Sequence, residues 1–250
     1  IGLPPTALRC GSHWPIDEEA GRRLASAGQE PDTRHSNCSG KHAGMLALAR
    51  HWNCEQQDYT QYEHPVQQAI VHRLSQLAGW PVADISYASD GCTVPTFALP
   101  LAHVALAFAR LIAPDAPADC RRVVAAMQSY PHLVSGRSAL DARLMAGGAG
   151  CIVSKGGAEG YEGLGVHTPD GRSLGVAVKI SDGSARGMGP LLAALLEALA
   201  LVDGETLARL EPLRRLPVAN RRNEIVGEIR PTSPLPLTCF DPPLPLETPT

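Results

Sequence analysis

The segment Asn37-Cys38-Ser39-Gly40-Lys41-His42-Ala43-Gly44 carries the side chains of this sequence that are best suited to chemistry. Cys38 and Lys41 are three residues apart, so they share one face if a helix begins here. A helix N-terminus favours a thiolate, and a neighbouring ammonium favours it further. A CxxK pair taken alone is more often a buried cysteine beside a surface lysine. The glycines that bracket the pair leave room for close backbone approach, and this favours a functional site.

A second tight loop, Ser89-Asp90-Gly91-Cys92, offers another thiol. Two thiolates and one further ligand are enough for a metal site with an open position. Lysine coordinates only when it is neutral, and it is an unusual zinc ligand. Sequence spacing alone therefore makes a metal site formed by Cys38 and Cys92 a hypothesis that depends on the fold.

Two other chemistries are considered for the first loop. A cysteine hydrolase would use Cys38 as nucleophile and a nearby histidine, His13, His35 or His42, as base. Ser39-Gly40-Lys41 also invites comparison with a phosphate loop. That loop needs a further upstream glycine and a Ser or Thr after the lysine, whereas His42 follows here. Nucleotide binding is excluded on this basis.

Lys155 follows a predicted strand, Cys151–Val153, and precedes two glycines. Ser154-Lys155-Gly156-Gly157 is similar to the KTG element of penicillin-recognising serine hydrolases, and Ser89-Asp90-Gly91 is faintly similar to their SDN element. No SxxK occurs in the chain, so the nucleophile of that mechanism has no local candidate. A glycine-flanked lysine at a strand end is more often solvated than catalytic.

The elements that position these residues are helices first and strands later. Hydrophobic spacing and capping residues predict a helix from the N-cap Asp17 to Gly28, and then helices at Lys41–Trp52, Pro65–Gly79, Leu99–Ala113, Ala118–Ser129, Ser138–Ala146 and Pro190–Val202. From Gly147 onward the composition favours strands, at Cys151–Val153, Gly163–His167 and Leu174–Ile180, with a turn at Thr168-Pro169-Asp170-Gly171. This order predicts an α+β fold with helices packed on an antiparallel sheet.

The bulk composition narrows the class of protein. The 250 residues are 44% hydrophobic and carry a formal charge of −3, with no long run of either sign. Neither a nucleic acid nor a membrane is expected as a partner, and the apolar stretches are too short to span a bilayer. Seven cysteines without a CxxC pair favour a reducing cytoplasm over a disulfide framework.

The two ends of the sequence also carry predictions. The chain starts at Ile1 without a secretory signal, which predicts a piece of a longer protein. Prolines become dense beyond Pro231, which predicts an extended or disordered tail over residues 230–250. Residues 1–229 are predicted to form one domain.

Several blocks of this sequence together resemble the L-asparaginase II family of the rhizobial thermolabile type. They occur in the family's order between about Leu8 and Gly227: Cys10-Gly11-Ser12-His13, the segment Asn37–Leu46, Asp90-Gly91-Cys92, the segment Ser154–Gly160, and Val178–Gly183. The resemblance implies an amidohydrolase that converts asparagine to aspartate and ammonia, on a fold similar to serine β-lactamases and glutaminases. It is compatible with a homodimer.

The resemblance also implies residue roles. Lys155 matches the family's second active-site lysine, and Asp90 falls where the family has a substrate-contacting acid. Cys38, Lys41 and Cys92 match the residues that hold a zinc ion (Zn2+). In such enzymes a serine–lysine pair carries the acyl transfer.

The sequence departs from the family pattern in two places. Family members carry a segment of roughly a hundred residues upstream of the CGxH element, with an SxxK nucleophile and a second serine, and that segment is not in this sequence. Asp141-Ala142-Arg143 has alanine where threonine is usual. The leading hypothesis is therefore an asparaginase-type amidohydrolase that is incomplete at its N-terminus. The alternative is a catalytically inactive remnant that binds zinc or an amino acid.

Overall fold

The computed structural model describes residues 1–232, and all structural statements below concern that part of the chain. Its α-helices are α1 Glu18–Ser26, α2 Ser39–His51, α3 Pro65–Ala78, α4 Leu101–Ile112, α5 Ala118–Ser129, α6 Pro131–Ser135, α7 Leu140–Gly148, α8 Met188–Ala198 and α9 Gly204–Arg214. Its strands are β1 Ser86–Ser89, β2 Pro95–Ala98, β3 Ile152–Gly157, β4 Tyr161–His167, β5 Ser173–Lys179, β6 Leu216–Ala219 and β7 Ile225–Ile229. The chain divides into two compact units: Ile1–Gln76 with Trp80–Leu99, and Leu77–Gly79 with the residues from Pro100 onward.

The first unit is mainly helical and has its own apolar core. The fully buried Tyr59 lies in this core with residues of α2, α3 and the β1–β2 hairpin: Met45, Leu46, Ala49, Val66, Cys92 and Val94. The hairpin is antiparallel, with Ser86 opposite Ala98. Asp17 caps α1 by accepting a hydrogen bond from the Ala20 N–H at 2.9 Å.

The second unit contains a three-stranded antiparallel sheet in the order β3-β4-β5. Ile152 of β3 lies opposite Val166 of β4, which lies opposite Leu174 of β5. One face of the sheet is covered by α7, α8 and α9, and the buried residues there include Leu144, Ile152, Leu164, Val166, Met188, Leu192 and Leu210. Burial of these side chains is the main stabilising term for this unit.

Glycines allow α4 to lie unusually close to the opposite face of the sheet. A Cβ placed on Gly175 would lie 1.7 Å from the carbonyl oxygen of Ala105 in α4. The same test on Gly163 places a Cβ 2.2 Å from the Phe108 ring, so two neighbouring strands leave the same space for one helix. The absence of side chains at these strand positions therefore determines the helix–sheet distance.

The structure confirms the predicted α+β class and, apart from a few residues at their ends, all seven predicted helices. Four features were not predicted: β1 and β2 form an antiparallel hairpin, Pro131 begins the short helix α6 after the end of α5, α9 follows Asp203, and β6 and β7 form a third sheet. Lys155 was predicted just past its strand, but β3 continues to Gly157 and includes it. The predicted tail, from residue 233 onward, lies outside the described residues. None of the described helices has both the length and the apolar character needed to cross a bilayer.

The closeness of α4 to the sheet gives a stability prediction. Gly175→Ala should lower the free energy of unfolding by about 3 kcal/mol, because the new methyl group meets backbone that cannot move aside cheaply. The matched control is Gly204→Ala, at a helix start with no atom within 4 Å of the added Cβ. Urea unfolding followed by circular dichroism measures both. Equal midpoints for the two variants would contradict the packing described here.

Candidate functional site

The first unit brings together four of the side chains predicted from sequence. The ligand atoms of Cys38, Asp90 and Cys92 all lie within 4.8 Å of one another. Lys41 joins them, with its Nζ 3.4 Å from Asp90 Oδ2. Cys92 donates a hydrogen bond from Sγ to the same carboxylate oxygen at 3.0 Å. Residues about fifty positions apart in the chain therefore form one cluster.

The start of α2 places the first two members of this cluster. Cys38 is the N-cap residue, and its carbonyl accepts the first helical bond from the His42 N–H at 3.0 Å. Lys41 is three residues further on, so both side chains lie on the same side of the first turn. The free N–H groups of this turn favour negative charge beside Cys38.

The turn between β1 and β2 places the other two members. The Asp90 N–H bonds to the Val94 carbonyl at 2.8 Å, and the Thr93 N–H bonds to the Asp90 carbonyl at 2.8 Å. Thr93 has a φ of 77°, a conformation that costs energy for a residue with a branched side chain. This tight, strained loop directs both Asp90 and Cys92 toward α2.

A chain of hydrogen bonds connects the two loops behind the cluster. The Thr93 hydroxyl donates to the carbonyl of Arg9 at 3.0 Å, and the Arg9 N–H donates to the Tyr59 hydroxyl at 2.9 Å. The Tyr59 oxygen lies 2.6 Å from Nδ1 of the buried His42. Each end of this chain is adjacent in sequence to a cluster residue, so it fixes the separation of the two loops.

The electrostatics of the cluster follow from its partial burial. Burial raises the pKa of the Cys92 thiol to about 11, and its hydrogen bond to Asp90 adds to the effect. That same bond lowers the pKa of Asp90. Burial lowers the pKa of Lys41, but its bond to Cys92 and the charges of the cluster outweigh burial, so the net direction is upward. In the absence of a metal, Lys41 is therefore the counter-ion of the cluster.

The donor set fits a zinc ion. Two thiol sulfurs and a carboxylate oxygen within 4.8 Å are ligands that Zn2+ accepts in tetrahedral sites, and the Lys41 amine lies beside them. Binding would release the thiol protons, because only thiolates coordinate.

The three histidines considered as bases for Cys38 have other partners. His13 Nε2 lies 3.0 Å from Asn37 Oδ1, and His35 Nδ1 accepts the Asp32 N–H at 2.9 Å. His42 directs Nδ1 to Tyr59, and burial lowers its pKa, with the Lys41 charge adding to the effect. None of these rings is hydrogen-bonded to Cys38 within residues 1–232. The geometry therefore gives no support to the cysteine-hydrolase alternative.

Lys155 lies in the second unit, in a cluster of its own on β3. Its Nζ donates to the Gly156 carbonyl at 2.6 Å and lies 3.7 Å from Oδ2 of Asp141. Half of the Lys155 side chain is exposed, whereas that of Asp141 is 4% exposed. The fifth predicted site residue thus pairs with a buried carboxylate.

A second buried carboxylate, Glu162 of β4, lies next to this pair. It accepts a hydrogen bond from the buried Ser154 hydroxyl at 2.6 Å. Burial raises the pKa of Glu162 to about 7; the Ser154 bond opposes the increase, the charge of Asp141 adds to it, and that of Lys155 opposes it. The neighbouring Tyr161 also has a raised pKa, from burial first and from Glu162 second.

No role is predicted from the sequence for Asp141, Ser154 or Glu162. A signal for Glu162 was present, because alternation along Tyr161–His167 places it on the same face as Leu164 and Val166. A carboxylate on a core-facing strand position is unusual enough to mark a site. Asp141 was noted only as part of the block Asp141-Ala142-Arg143, and its hydrogen bond with Ser135 comes from the end of the unpredicted helix α6.

Comparison with known proteins gives one match. The model of a family described as L-asparaginase II matches residues 1–231, nearly the whole chain. Comparison with the curated proteins gives no match.

The raised pKa of Glu162 predicts pH-dependent stability. A carboxyl group whose pKa rises from 4.5 to about 7 on folding contributes fully below pH 4.5, and this contribution is lost as the pH rises through 7. Glu162→Gln removes that loss, so its stability relative to the unchanged protein should increase from pH 5 to pH 8 by on the order of 3 kcal/mol. Glu205→Gln, at an exposed helix position, is the control. Unfolding midpoints across this range that move in parallel for all three proteins would refute the assignment.

Proposed function

Since the chain belongs to the L-asparaginase II family, we propose that it acts as an amidohydrolase that converts L-asparagine to L-aspartate and ammonia. The observation that carries this proposal is the family match over residues 1–231. The cluster of Cys38, Lys41, Asp90 and Cys92 supports it, because residues quoted for the resemblance come together from distant loops.

The proposed chemistry is acyl transfer through a serine–lysine pair. An amide is a poor electrophile, so a hydroxyl group must lose its proton near neutral pH before it attacks. Lys155 is proposed as a catalytic lysine that exchanges a proton with such a serine. The attacking serine is predicted to lie outside these 250 residues. A serine β-lactamase/glutaminase-like fold is proposed with it, and the helices on both faces of the β3-β4-β5 sheet agree with that fold.

The first unit is proposed to bind the substrate and a metal. Asp90, whose side chain is 39% exposed, has a carboxylate suited to the ammonium group of an amino acid. Cys38, Lys41 and Cys92 are proposed as the zinc ligands. A bound zinc ion would supply either a positive centre that orients the substrate or a crosslink between the two loops. A homodimer and a cytoplasmic location stay predictions.

The second candidate is an inactive remnant of the same family that retains zinc or amino-acid binding. The specific observation in its favour is that the metal cluster lies entirely within the first unit, on residues that do not include Lys155.

An activity assay tests the leading proposal. The product of the whole reading frame is incubated with asparagine and ammonia is measured. Lys155→Ala should lower kcat by at least about 100-fold, the usual contribution of a proton-transferring residue. Lys179→Ala, a lysine on β5, is the matched control and should retain activity. Ammonia release by the Lys155 variant at the control rate would overturn the assignment.

Elemental analysis tests the metal and separates the two candidates. The protein should bind one zinc ion, and Cys38→Ser or Cys92→Ser should lose it, because neither hydroxyl replaces a thiolate. Cys54→Ser, outside the cluster, should retain it. Stoichiometric zinc without turnover would favour the remnant, and zinc that survives both cluster substitutions would remove the proposed site.

A further inference from the structure

The ammonium group of Lys155 contacts a carboxylate that the fold holds in a fixed position. Oδ1 of Asp141 accepts hydrogen bonds from the Ser135 hydroxyl and from the Ala142 N–H, the latter at 2.9 Å. Oδ2 accepts the Gly156 N–H at 3.1 Å. These donors come from the end of α6, the start of α7 and strand β3. Three elements therefore determine where this carboxylate lies.

Besides these three hydrogen-bond donors, the carboxylate of Asp141 has a positively charged neighbour. A buried carboxylate is costly unless hydrogen bonds and an opposite charge replace its water. The three donors satisfy part of this requirement, and Lys155 Nζ supplies the charge at 3.7 Å from Oδ2. A half-exposed lysine has a flexible stem, so this contact restricts Nζ to one region of the β3 edge.

The residue after Lys155 is a glycine, which leaves space beside the backbone at this point. A Cβ on Gly156 would lie 3.0 Å from Oε2 of Glu162 and 3.7 Å from Oδ2 of Asp141. The missing side chain therefore favours the close approach of the Glu162 carboxylate to the backbone next to Lys155, whereas Asp141 would remain at an ordinary contact distance. Glu162, which lies opposite Gly156, accepts a hydrogen bond from the Ser154 hydroxyl two positions back along β3, on the same face of the sheet.

We propose that Asp141 is the positioning residue of Lys155. The Ser135 hydroxyl and the Gly156 N–H hold the carboxylate of Asp141 in place. The carboxyl group of Glu162, which accepts a hydrogen bond from Ser154, lies beside it. Asp141 keeps the Lys155 Nζ at one place on the β3 edge and balances its positive charge. The lysine side chain is then already in one conformation when a reacting group approaches Nζ. The inference rests on the proposed catalytic role of Lys155. It adds a residue that contacts the catalytic lysine rather than the substrate.

Competitive acylation tests the contact independently of turnover. The chain contains three lysines, Lys41, Lys155 and Lys179, so mass spectrometry after brief treatment with acetic anhydride gives each rate, and Lys179 serves as the internal standard. Asp141→Asn should raise the Lys155/Lys179 rate ratio at least about threefold, the size expected for loss of a partly exposed ion pair. An unchanged ratio overturns the proposal.

Two further variants serve as controls for a loss of the fold and for a general effect of removing a carboxylate. Ser135→Ala keeps the carboxylate and removes one hydrogen bond, so it should raise the ratio less than Asp141→Asn while the fold persists. Asp170→Asn, at an exposed carboxylate paired with Arg172 in the same unit, should leave the ratio unchanged. A ratio raised equally by Asp170→Asn overturns the proposal, because the effect would then be general.

Steady-state kinetics of the whole gene product distinguishes a role of Asp141 in positioning Lys155 from a role in stabilising the fold alone. Asp141→Asn should lower kcat about 10- to 100-fold with KM changed less than about threefold, because a misplaced group impairs the reaction more than substrate binding. If the Asp141→Asn variant keeps the kcat of the unchanged protein while its Lys155/Lys179 acylation ratio is raised, the positioning role is overturned. If Lys155→Ala retains activity, the proposed function of Lys155 fails, and the acylation ratio still decides whether Asp141 holds it.

Discussion

A buried carboxylate is the constraint on which the second unit depends. The carboxylate of Asp141 is buried, so protein groups must supply the hydrogen bonds that water would otherwise donate to its two oxygens. Ser135, Ala142 and Gly156 provide them, which requires α6 to end, α7 to begin and β3 to pass at one point. The short helix α6 thus has a function in the packing that its five residues alone would not suggest.

In the first unit, partly buried polar side chains are held in place by a strained turn and by a chain of hydrogen bonds between uncharged groups. Cys92 and Asp90 lie in a loop that forces Thr93 to a positive φ. The hydroxyl of Thr93, the backbone of Arg9 and the hydroxyl of Tyr59 then connect this loop to His42 in α2. Strain of this kind persists only where the surroundings over-determine it. These hydrogen bonds are such a surrounding, and they explain why the start of α2 and the β1–β2 turn hold four reactive side chains close together.

The class of fold was predictable from the sequence, and the four side chains that lie close together in the first unit were all named from it, whereas Asp141 and Glu162 of the second unit were given no role. The helix over Ala118–Ser129 and the turn after His167 follow from local signals, namely periodicity, capping and a Pro-Asp-Gly turn. Cys38, Lys41 and Cys92 were selected because they lie in short loops with residue types suited to chemistry, and Asp90 was selected through the resemblance to the L-asparaginase II family. Asp141 and Glu162 are ordinary acids in sequence, and their importance comes from burial and from contacts between elements. Helix α9 was missed because Pro212 and several charged residues interrupt its apolar pattern.

The charges around Lys155 explain why the two acids beside it differ in character. Asp141 has three donors and a cation, whereas Glu162 has the Ser154 hydroxyl and faces the charge of Asp141. One ammonium balances one carboxylate, so a second ionised carboxylate would leave the buried cluster with a net negative charge. Burial is the main cause of the raised pKa of Glu162, about 7, and the charge of Asp141 adds to it. The contact of Lys155 Nζ with Asp141, together with the three donors that hold this carboxylate, makes Asp141, rather than Glu162, the residue proposed to determine where Lys155 lies.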